Sequence, residues 1–325
     1  MRRRRLLLAS AALATLPRFA AAQPQARPAS IGWLTAQRPP SLAPYVQAFR
    51  AELARLGFVE GRNLTIDFRY GDDDRSKVRA LADELVRLPV DLLVVQGEAV
   101  LEIKAATLPI PVVYAYSGDP VTAGLAESLA RPNANMTGLT YLALELNGKR
   151  LELLREIVPG VRRVALLANP EYPGQAGERA NSEAAAGRIG LDARHLPART
   201  SDELADAFAK MAADKVQAIS LFADSFAVQN RERIVAFAMR QRIPLVSSWP
   251  VFAESGALCT YGPRLVDSYR RLAYYADRVL RGAKPAELPI EQPTTLETII
   301  NLKTADALGL RVPPSVLVRA DRVIS

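Results

Sequence analysis

The chain has 325 residues, 49% of them hydrophobic, and carries a formal net charge of +8 with one cysteine and one histidine. The single cysteine excludes an intramolecular disulfide and a thiolate metal cluster, and the single histidine excludes an imidazole metal cage. About 300 residues is more than one hydrophobic core usually serves, so the length predicts two lobes.

The first 22 residues have the pattern of an export signal. Arg2 to Arg5 precede an apolar run from Leu6 to Leu16, and Ala20-Ala21-Ala22 supplies an Ala-x-Ala cleavage site. The apolar run is too short to cross a bilayer as a stable helix, although a retained membrane anchor is the alternative. We predict a signal peptide at 1–22, cleaved before Gln23, and export by the general secretory or the twin-arginine route.

Loss of this segment changes the charge of the protein. Residues 1–22 contain five arginines and no acid, so the mature chain has 37 basic and 34 acidic residues, a balance of +3. No basic stripe interleaved with aromatic residues occurs, and we therefore expect no nucleic-acid partner. The only cysteine, Cys259, lies far from the cleavage site, which excludes a lipoprotein anchor. We expect a soluble protein of the periplasm in which Cys259 is a buried core thiol.

Short β-branched runs alternate with helical periodicity after Pro28, which predicts an α/β fold with parallel sheets covered by helices on both faces. In the first half the predicted strands are 31–35, 64–70, 92–95, 112–116 and 136–141. The predicted helices of this half begin at a Ser41 cap, run from Val78 to Leu85, and run from Val121 to Leu129.

The same alternation restarts near residue 148. The predicted strands of this half are 164–168, 191–196, 218–222 and 245–247, followed by a final strand near the carboxyl terminus. The predicted helices are 148–158, 177–189, a helix behind a Ser201 cap, 231–240, a helix from about 264 to 281, and a short last helix. We assign residues 28–142 and 262–290 to an N-terminal lobe, and residues 143–261 and 291–325 to a C-terminal lobe.

The sequence lacks the usual apparatus of catalysis. His195 lies in a predicted strand, which is typical of a packing or surface residue, and no Gly-x-Ser-x-Gly elbow, Walker loop or Gly-x-Gly-x-x-Gly fingerprint occurs. Asp72-Asp73-Asp74 predicts a solvated capping turn, because consecutive residues cannot all face one metal ion. We expect no enzyme activity, no metal and no cofactor; the alternative is an exported α/β hydrolase.

Polar and aromatic residues follow the predicted strands, which is where doubly wound sheets bind ligands. The amino terminus of the helix predicted after Ser117-Gly118-Asp119-Pro120 would direct N–H groups towards an anion, and Asp119 is suited both to cap that helix and to contact a ligand. Together with Tyr116, Trp249 and Tyr261, such residues predict a cleft for a small polar solute with an apolar or aromatic part. The candidate ligand-binding residues are Thr35, Gln96, Gly97, Tyr116, Ser117, Asp119, Asn169, Asp224, Ser247, Ser248 and Tyr261.

Several stretches occur in the order and spacing of one known family, and they lie at 48–50, 56–63, 118–125, 129–138, 148–154, 261–263, 291–294, 300–305 and 319–321. Through them the mature chain resembles the bacterial ABC-transporter substrate-binding family that includes tryptophan- and tyrosine-binding proteins. The chain departs from the family pattern at Asn133-Ala134-Asn135, where glycines usually follow the proline. It also departs at Cys259-Thr260, which borders the predicted cleft.

The resemblance implies a type I periplasmic binding protein, with two Rossmann-like doubly wound lobes joined by a multi-crossover hinge. It implies capture of a solute by lobe closure, then docking on an inner-membrane permease served by a cytoplasmic ATPase. We expect a monomer. The alternative with the same fold presents its solute to a receptor or a sensor kinase.

In this hypothesis both lobes contribute ligand contacts. The contacts are Ser117, Asp119 and the amides after Gly118 for an acid or amine group, Asp224 and Ser248 from the other lobe, and Tyr261 or Tyr116 stacked on the solute.

Overall fold

The computed structural model describes residues 27–72, 74–105, 109–132, 135–141, 144–172, 174–222 and 224–325. The predicted signal peptide at 1–22 lies outside the described residues, as do Asp73, Asn133, Ala134 and Ala223. Within the described ranges no helix is both long enough and apolar enough to span a membrane.

Most of the described strands belong to two sheets. In chain order the strands are β1 (Ala29–Thr35), β2 (Leu64–Tyr70), β3 (Leu92–Gln96), β4 (Val112–Tyr116), β5 (Ala126–Ser128), β6 (Arg131–Pro132), β7 (Met136–Thr140), β8 (Arg163–Ala168), β9 (Asp192–Pro197), β10 (Ala218–Leu221), β11 (Leu245–Ser247), β12 (Cys259–Pro263), β13 (Leu296–Asn301) and β14 (Arg322–Ile324). The first sheet has the order β2-β1-β3-β4-β7 and is parallel. The second has the order β14-β13-β12-β11-β10-β8-β9, with an antiparallel β12–β13 pair.

Helices cover both faces of the two sheets. In chain order they are α1 (Pro39–Arg55), α2 (Val78–Leu85), α3 (Ala99–Ala105), α4 (Glu145–Ile157), α5 (Gln175–Arg188), α6 (Ser201–Ala213), α7 (Ser225–Gln229), α8 (Arg231–Arg240), α9 (Pro250–Glu254), α10 (Leu265–Leu280), α11 (Leu302–Leu308) and α12 (Pro314–Arg319). The central strands β3 and β4 are buried at every position, as expected for parallel strands that are covered on both faces. The predicted α/β fold class is confirmed.

The chain passes between the two halves of the molecule three times. It first leaves the first sheet after β7, and α4 packs in the core of the second sheet. After β12 it returns, because α10 packs on α1 against the first sheet, and it crosses again to add β13 and β14 to the second sheet. These crossings are the connections of a hinge between two lobes, whose boundaries along the chain stay a prediction.

Two predicted helix caps are wrong. The first helix begins at Pro39, ahead of Ser41, because a proline fits the first turn of a helix, where its missing N–H is not needed. The sixth helix includes Ser201 and is capped by Thr200, whose Oγ1 accepts the backbone N–H of Glu203 at 3.2 Å.

The helix predicted from Val121 to Leu129 is also wrong. One helical turn forms after Asp119, and Gly124 then adopts a φ of +65°, which ends it. The chain continues as the short hairpin of β5 and β6. Lys104 Nζ donates to the carbonyl of Ala123 at 2.7 Å, and this bond satisfies a carbonyl at the end of the turn.

Candidate ligand-binding site

A narrow cleft lies between the two halves of the molecule; its empty space of about 530 Å³ includes open solvent, and the centre of a water molecule has access to about 40 Å³ of it. We refer to this cleft as the cavity. One wall comes from α1, the carboxyl ends of first-sheet strands and the start of α10, and the facing wall comes from α7 and the segment after β11. None of the described residues that line it is charged at neutral pH. They are Gln37, Ser41, Leu42, Tyr45, Gln96, Ala115, Tyr141, Val228, Trp249, Val251, Leu265 and Tyr269.

Gln96 reaches this cavity from the end of β3, and it is only 3% exposed. Neither polar atom of its side-chain amide has a hydrogen-bond partner of normal geometry among the described residues, although the amide interacts with the Tyr269 hydroxyl. Gly97 turns the chain directly after it with a φ of +60° and donates its N–H to the carbonyl of Ala115 at 2.8 Å. Thr35 ends the neighbouring strand, where its Oγ1 accepts the N–H of Gln37 and so positions that residue at the cavity.

Three tyrosine hydroxyls line the same cavity in neutral form. Burial raises the pKa of Tyr45 to about 12, and nearby Glu254 and Glu297 act in the same direction. Burial also raises the pKa of Tyr141, against the opposing effect of its interaction with Ser268. It raises the pKa of Tyr269 as well, against the opposing effect of Gln96. Each phenol therefore stays protonated at neutral pH and is able to donate and to accept a hydrogen bond.

Tyr116 and Ser117, at the end of β4, meet Tyr172 from the other half of the molecule. The hydroxyls of Ser117 and Tyr172 share a hydrogen bond of 2.5 Å, and the rings of Tyr116 and Tyr172 lie 5.9 Å apart. Although Tyr172 follows β8 of the second sheet, its ring is buried in the core cluster of the first sheet. Tyr172 thus joins the two lobes beside the cavity.

The carboxylate of Asp119 stabilises the turn that begins at this residue. Its carboxylate accepts the N–H of Val121 at 2.8 Å and the hydroxyl of Thr122 at 2.7 Å. Because the helix predicted after Gly118 does not form, the expected row of helix N–H groups facing an anion is not formed there either. Thr140 donates its hydroxyl to the carbonyl of Gly118 at 3.0 Å, which ties this turn to β7.

Asn169 and Asp224 lie together on the second lobe, where they line a small surface pocket. Asn169 Oδ1 accepts the N–H of Glu171 at 3.1 Å. Asp224 caps α7 by accepting the N–H of Ala227 at 2.6 Å. Since α7 carries Val228 to the wall of the main cavity, the Asp224 cap positions part of that wall.

Ser247, Ser248 and Tyr261 lie around β11 and β12. Ser247 is fully buried, and its hydroxyl donates to the carbonyl of Leu221 at 3.4 Å within the sheet. Ser248 precedes the cavity residue Trp249. The side chain of Tyr261 contributes to a separate surface pocket with Lys149 and Arg319, so the structure does not bring it to the main cavity.

An ion pair is buried in the second lobe. Arg150 donates to the carbonyl of Tyr261 at 2.9 Å and to Asn147 Oδ1 at 2.5 Å, and Glu178 Oε1 lies 3.7 Å from its guanidinium. Burial raises the pKa of Glu178 to about 7, against the opposing effect of Arg150. This pair joins α4, α5 and β12 into one unit.

Three further side chains of reactive type, those of His195, Cys259 and Asp74, take part in hydrogen bonds or core packing. His195 shares a hydrogen bond of 2.9 Å with Gln175, and Cys259 is fully buried, which raises the pKa of its thiol to about 12. Asp74 accepts the N–H of Ser76 at 3.0 Å in a capping turn. In the described ranges, no cluster of three or more His, Cys, Asp or Glu side chains is arranged to hold a metal ion.

Several cavity residues were not among the sequence candidates. Tyr45 and Tyr269 have helical spacing, which predicts packing faces of α1 and α10 rather than a site. Val228 and Val251 lie on helices of five residues, too short to produce a periodic signal. Trp249, two positions after a predicted strand, is a cavity residue that the sequence did place in the cleft.

Two Rossmann-like lobes that close an uncharged, aromatic-lined cavity between their strand ends have the architecture of a type I periplasmic binding protein. The profile of one family, described as ABC transporter substrate binding protein, matches residues 34–324. The chain belongs to this family, and the resemblance predicted from its sequence is confirmed.

Known relatives span almost the whole chain. A tyrosine-binding protein of Clostridioides difficile (strain R20291) is 27% identical over 290 residues, which are 84% of this chain and 78% of that protein. An ABC domain from Streptococcus pneumoniae, solved in complex with L-Trp, is 28% identical with a TM-score of 0.84 and covers 91% of this chain and 100% of its own. A conserved domain protein from Vibrio cholerae is 25% identical with a TM-score of 0.83, at the same coverage.

Proposed function

We propose that this protein is the solute-binding component of an ABC importer and that its ligand is an aromatic amino acid. The observation that carries the proposal is the cavity between the lobes, whose wall is aromatic and uncharged and comes from both sides. The tyrosine-binding relative and the L-Trp complex support the same ligand class. The family is one of substrate-binding proteins, which supports a transport role rather than catalysis.

Binding is coupled to lobe closure in this proposal. The N-terminal lobe comprises residues 28–142 and 262–290, and the C-terminal lobe comprises residues 143–261 and 291–325. A ligand that touches Tyr45 on one side and Trp249 on the other gains both sets of contacts only when the lobes are closed, so it shifts the equilibrium towards that form.

The charged head of an amino acid needs polar partners beyond the uncharged cavity. We assign this role to Ser117 from the first lobe and to Asp224 and Ser248 from the second, which lie on segments next to cavity residues. Asp119 is left out of this set because two bonds within its own turn occupy its carboxylate.

The cellular setting follows from the proposed export signal. After cleavage before Gln23 the monomeric protein works in the periplasm and delivers its ligand to a membrane permease with a cytoplasmic ATPase. Intact-mass measurement of the exported protein tests the cleavage, and retention of Met1 would contradict it. Stimulation of the ATPase by the loaded protein, in vesicles that carry the permease, tests delivery.

Calorimetry on residues 23–325 tests the ligand class. We expect saturable binding of L-tryptophan, L-tyrosine or L-phenylalanine and no binding of L-alanine or L-glutamate. At 100 times its dissociation constant, a true ligand adds roughly 2.7 kcal/mol to the free energy of unfolding, which a thermal shift detects. Lack of binding by all three aromatic amino acids would refute the assignment.

A further inference from the structure

The side-chain amide of Gln96 is placed to bind something inside the cavity. It lines the cavity and is 97% buried, yet its oxygen and nitrogen have no hydrogen-bond partner of normal geometry within the described part of the chain, where only the Tyr269 hydroxyl is known to interact with the amide. Leaving such a group unsatisfied costs about 1–3 kcal/mol, so buried amides are nearly always paired. Its partner is therefore expected among the molecules that occupy the cavity.

The position of Gln96 is fixed by the sheet. The residue ends β3, a central strand, in register with Thr35 on one side and Ala115 on the other. Neither strand neighbour gives the amide a hydrogen bond of normal geometry, and Ala115 has no polar side-chain atom with which to form one. A central strand that is buried at every position moves little, so the amide is held ready for a ligand atom.

A second buried polar atom lies in the same cavity. The Tyr141 hydroxyl, at the end of β7, also has no hydrogen-bond partner of normal geometry in the described ranges. The rest of the wall consists of aromatic and aliphatic side chains and a few neutral polar groups. A carboxylate or an ammonium group would lose its hydration here without gaining an opposite charge, whereas a neutral ring with one polar atom would be stabilised.

We propose that Gln96, with Tyr141 beside it, determines the specificity of the site by hydrogen bonding to the polar atom of an aromatic side chain. Gln96 Oε1 accepts an indole N–H or a phenol O–H, and its Nε2 donates to a phenol oxygen. The preferred ligands are thus tryptophan and tyrosine, and phenylalanine is rejected because it leaves the amide unpaired. This inference rests on the proposed function, since it concerns the ligand of that same cavity.

Calorimetric titration of residues 23–325 with L-tryptophan, L-tyrosine and L-phenylalanine is the first test. We expect at least one of the first two to bind about 10-fold or more tightly than L-phenylalanine, the ratio that corresponds to one unpaired buried group. We also expect 1-methyl-L-tryptophan, which lacks the indole N–H, to lose most of the affinity of L-tryptophan if that is the tighter ligand. These measurements need no variant and hold even where a substitution at Gln96 impairs folding.

The variant Gln96→Leu is the second test. It removes both polar atoms at similar volume, so the preference over L-phenylalanine should fall to about 3-fold or less while L-phenylalanine binds as well or better. Tyr114→Phe is the matched control: Tyr114 is a buried hydroxyl on the adjacent strand, without a hydrogen bond to any described residue and outside the cavity, and its loss should leave the ratio unchanged.

The outcomes separate this inference from the proposed function. Tight binding of all three amino acids with equal affinity, or an unchanged preference in Gln96→Leu, overturns the role of Gln96 and leaves the proposed function in place. It would mean that ordered water satisfies the amide. Binding of none of the three overturns both.

Discussion

Tyr172→Phe removes the hydrogen bond between the lobes and keeps the ring. Tyr172 is 8% exposed, and its hydroxyl is bonded at 2.5 Å to Ser117, which leaves little solvent to replace the lost partner. A neutral hydrogen bond of this kind contributes about 0.5–1.5 kcal/mol. Because the two residues lie on different lobes, the change weakens the closed form and leaves each lobe intact.

The expected result is a loss of ligand affinity by a factor between about 2 and about 13, which is the same free energy converted at room temperature. The full factor appears when the unliganded protein is mostly open, since the bond then forms only as the ligand binds. Calorimetry with the tightest aromatic amino acid measures it, and small-angle scattering with and without that ligand reports the closed fraction. Tyr114→Phe, which removes a buried hydroxyl inside one lobe, should change neither quantity.

Equal affinity and equal closed fraction in Tyr172→Phe and the wild type would refute this reasoning. Loss of thermal stability in Tyr172→Phe without any change in closure would also count against it, because it would show a role inside one lobe. Ser117→Ala removes the other partner of the bond together with a proposed head-group contact, so it should lower the affinity at least as much as Tyr172→Phe.

Three further predictions concern stability and the head group. Gly262→Ala places a Cβ 2.1 Å from the carbonyl oxygen of Ser248, so urea titrations should show a free energy of unfolding that is lower by ~3 kcal/mol. Gly187→Ala is the control, because Gly187 lies in a helix with open space around it, and this change should raise the free energy of unfolding by about 0.5–1 kcal/mol. Equal effects of the two changes would contradict the steric account. Asp224→Asn keeps an α7 cap but removes the charge, so calorimetry should show weaker binding of an amino acid at nearly unchanged melting temperature; unchanged affinity would remove Asp224 from the head-group contacts. Burial raises the pKa of Glu178 to about 7, above its ordinary 4.5, so the folded state holds more protons between these values and this group's contribution to stability is lost as the pH rises through 7. Glu178→Gln should therefore gain stability relative to the wild type between about pH 5 and pH 8, and a pH-independent difference in thermal unfolding would contradict this sign.

The sequence predicts the sheets well because parallel strands buried on both faces produce uninterrupted apolar runs. The strands at 64–70, 112–116 and 245–247 have the predicted bounds, as does the helix Arg231–Arg240. The helix prediction for residues 121–129 is wrong for a local reason. A helical pattern of apolar residues is present, but Gly124 reaches a left-handed conformation that ends the turn after one cycle.

Some residues at the cavity cannot be predicted from the positions of strand ends alone. The rule that ligands bind after parallel strands leads to Gln96 and Trp249, since both positions follow directly from the strand pattern. It does not lead to Tyr269, which belongs by sequence to a late helix and reaches the cavity only through the second crossing of the chain. Tyr172 is hidden for a similar reason, because its partner Ser117 lies on the other lobe and contact depends on how the lobes meet.

The packing of α10 on α1 has a consequence for how the protein is made. Trp33 and Tyr269 lie in one core, with ring centroids 6.3 Å apart, although more than 200 positions separate them along the chain. The first lobe therefore lacks a wall of its core until the ribosome has synthesised residues up to about 280. The chain thus has no finished first lobe during most of its synthesis, and this order fits the proposed export through a secretory channel that accepts unfolded protein.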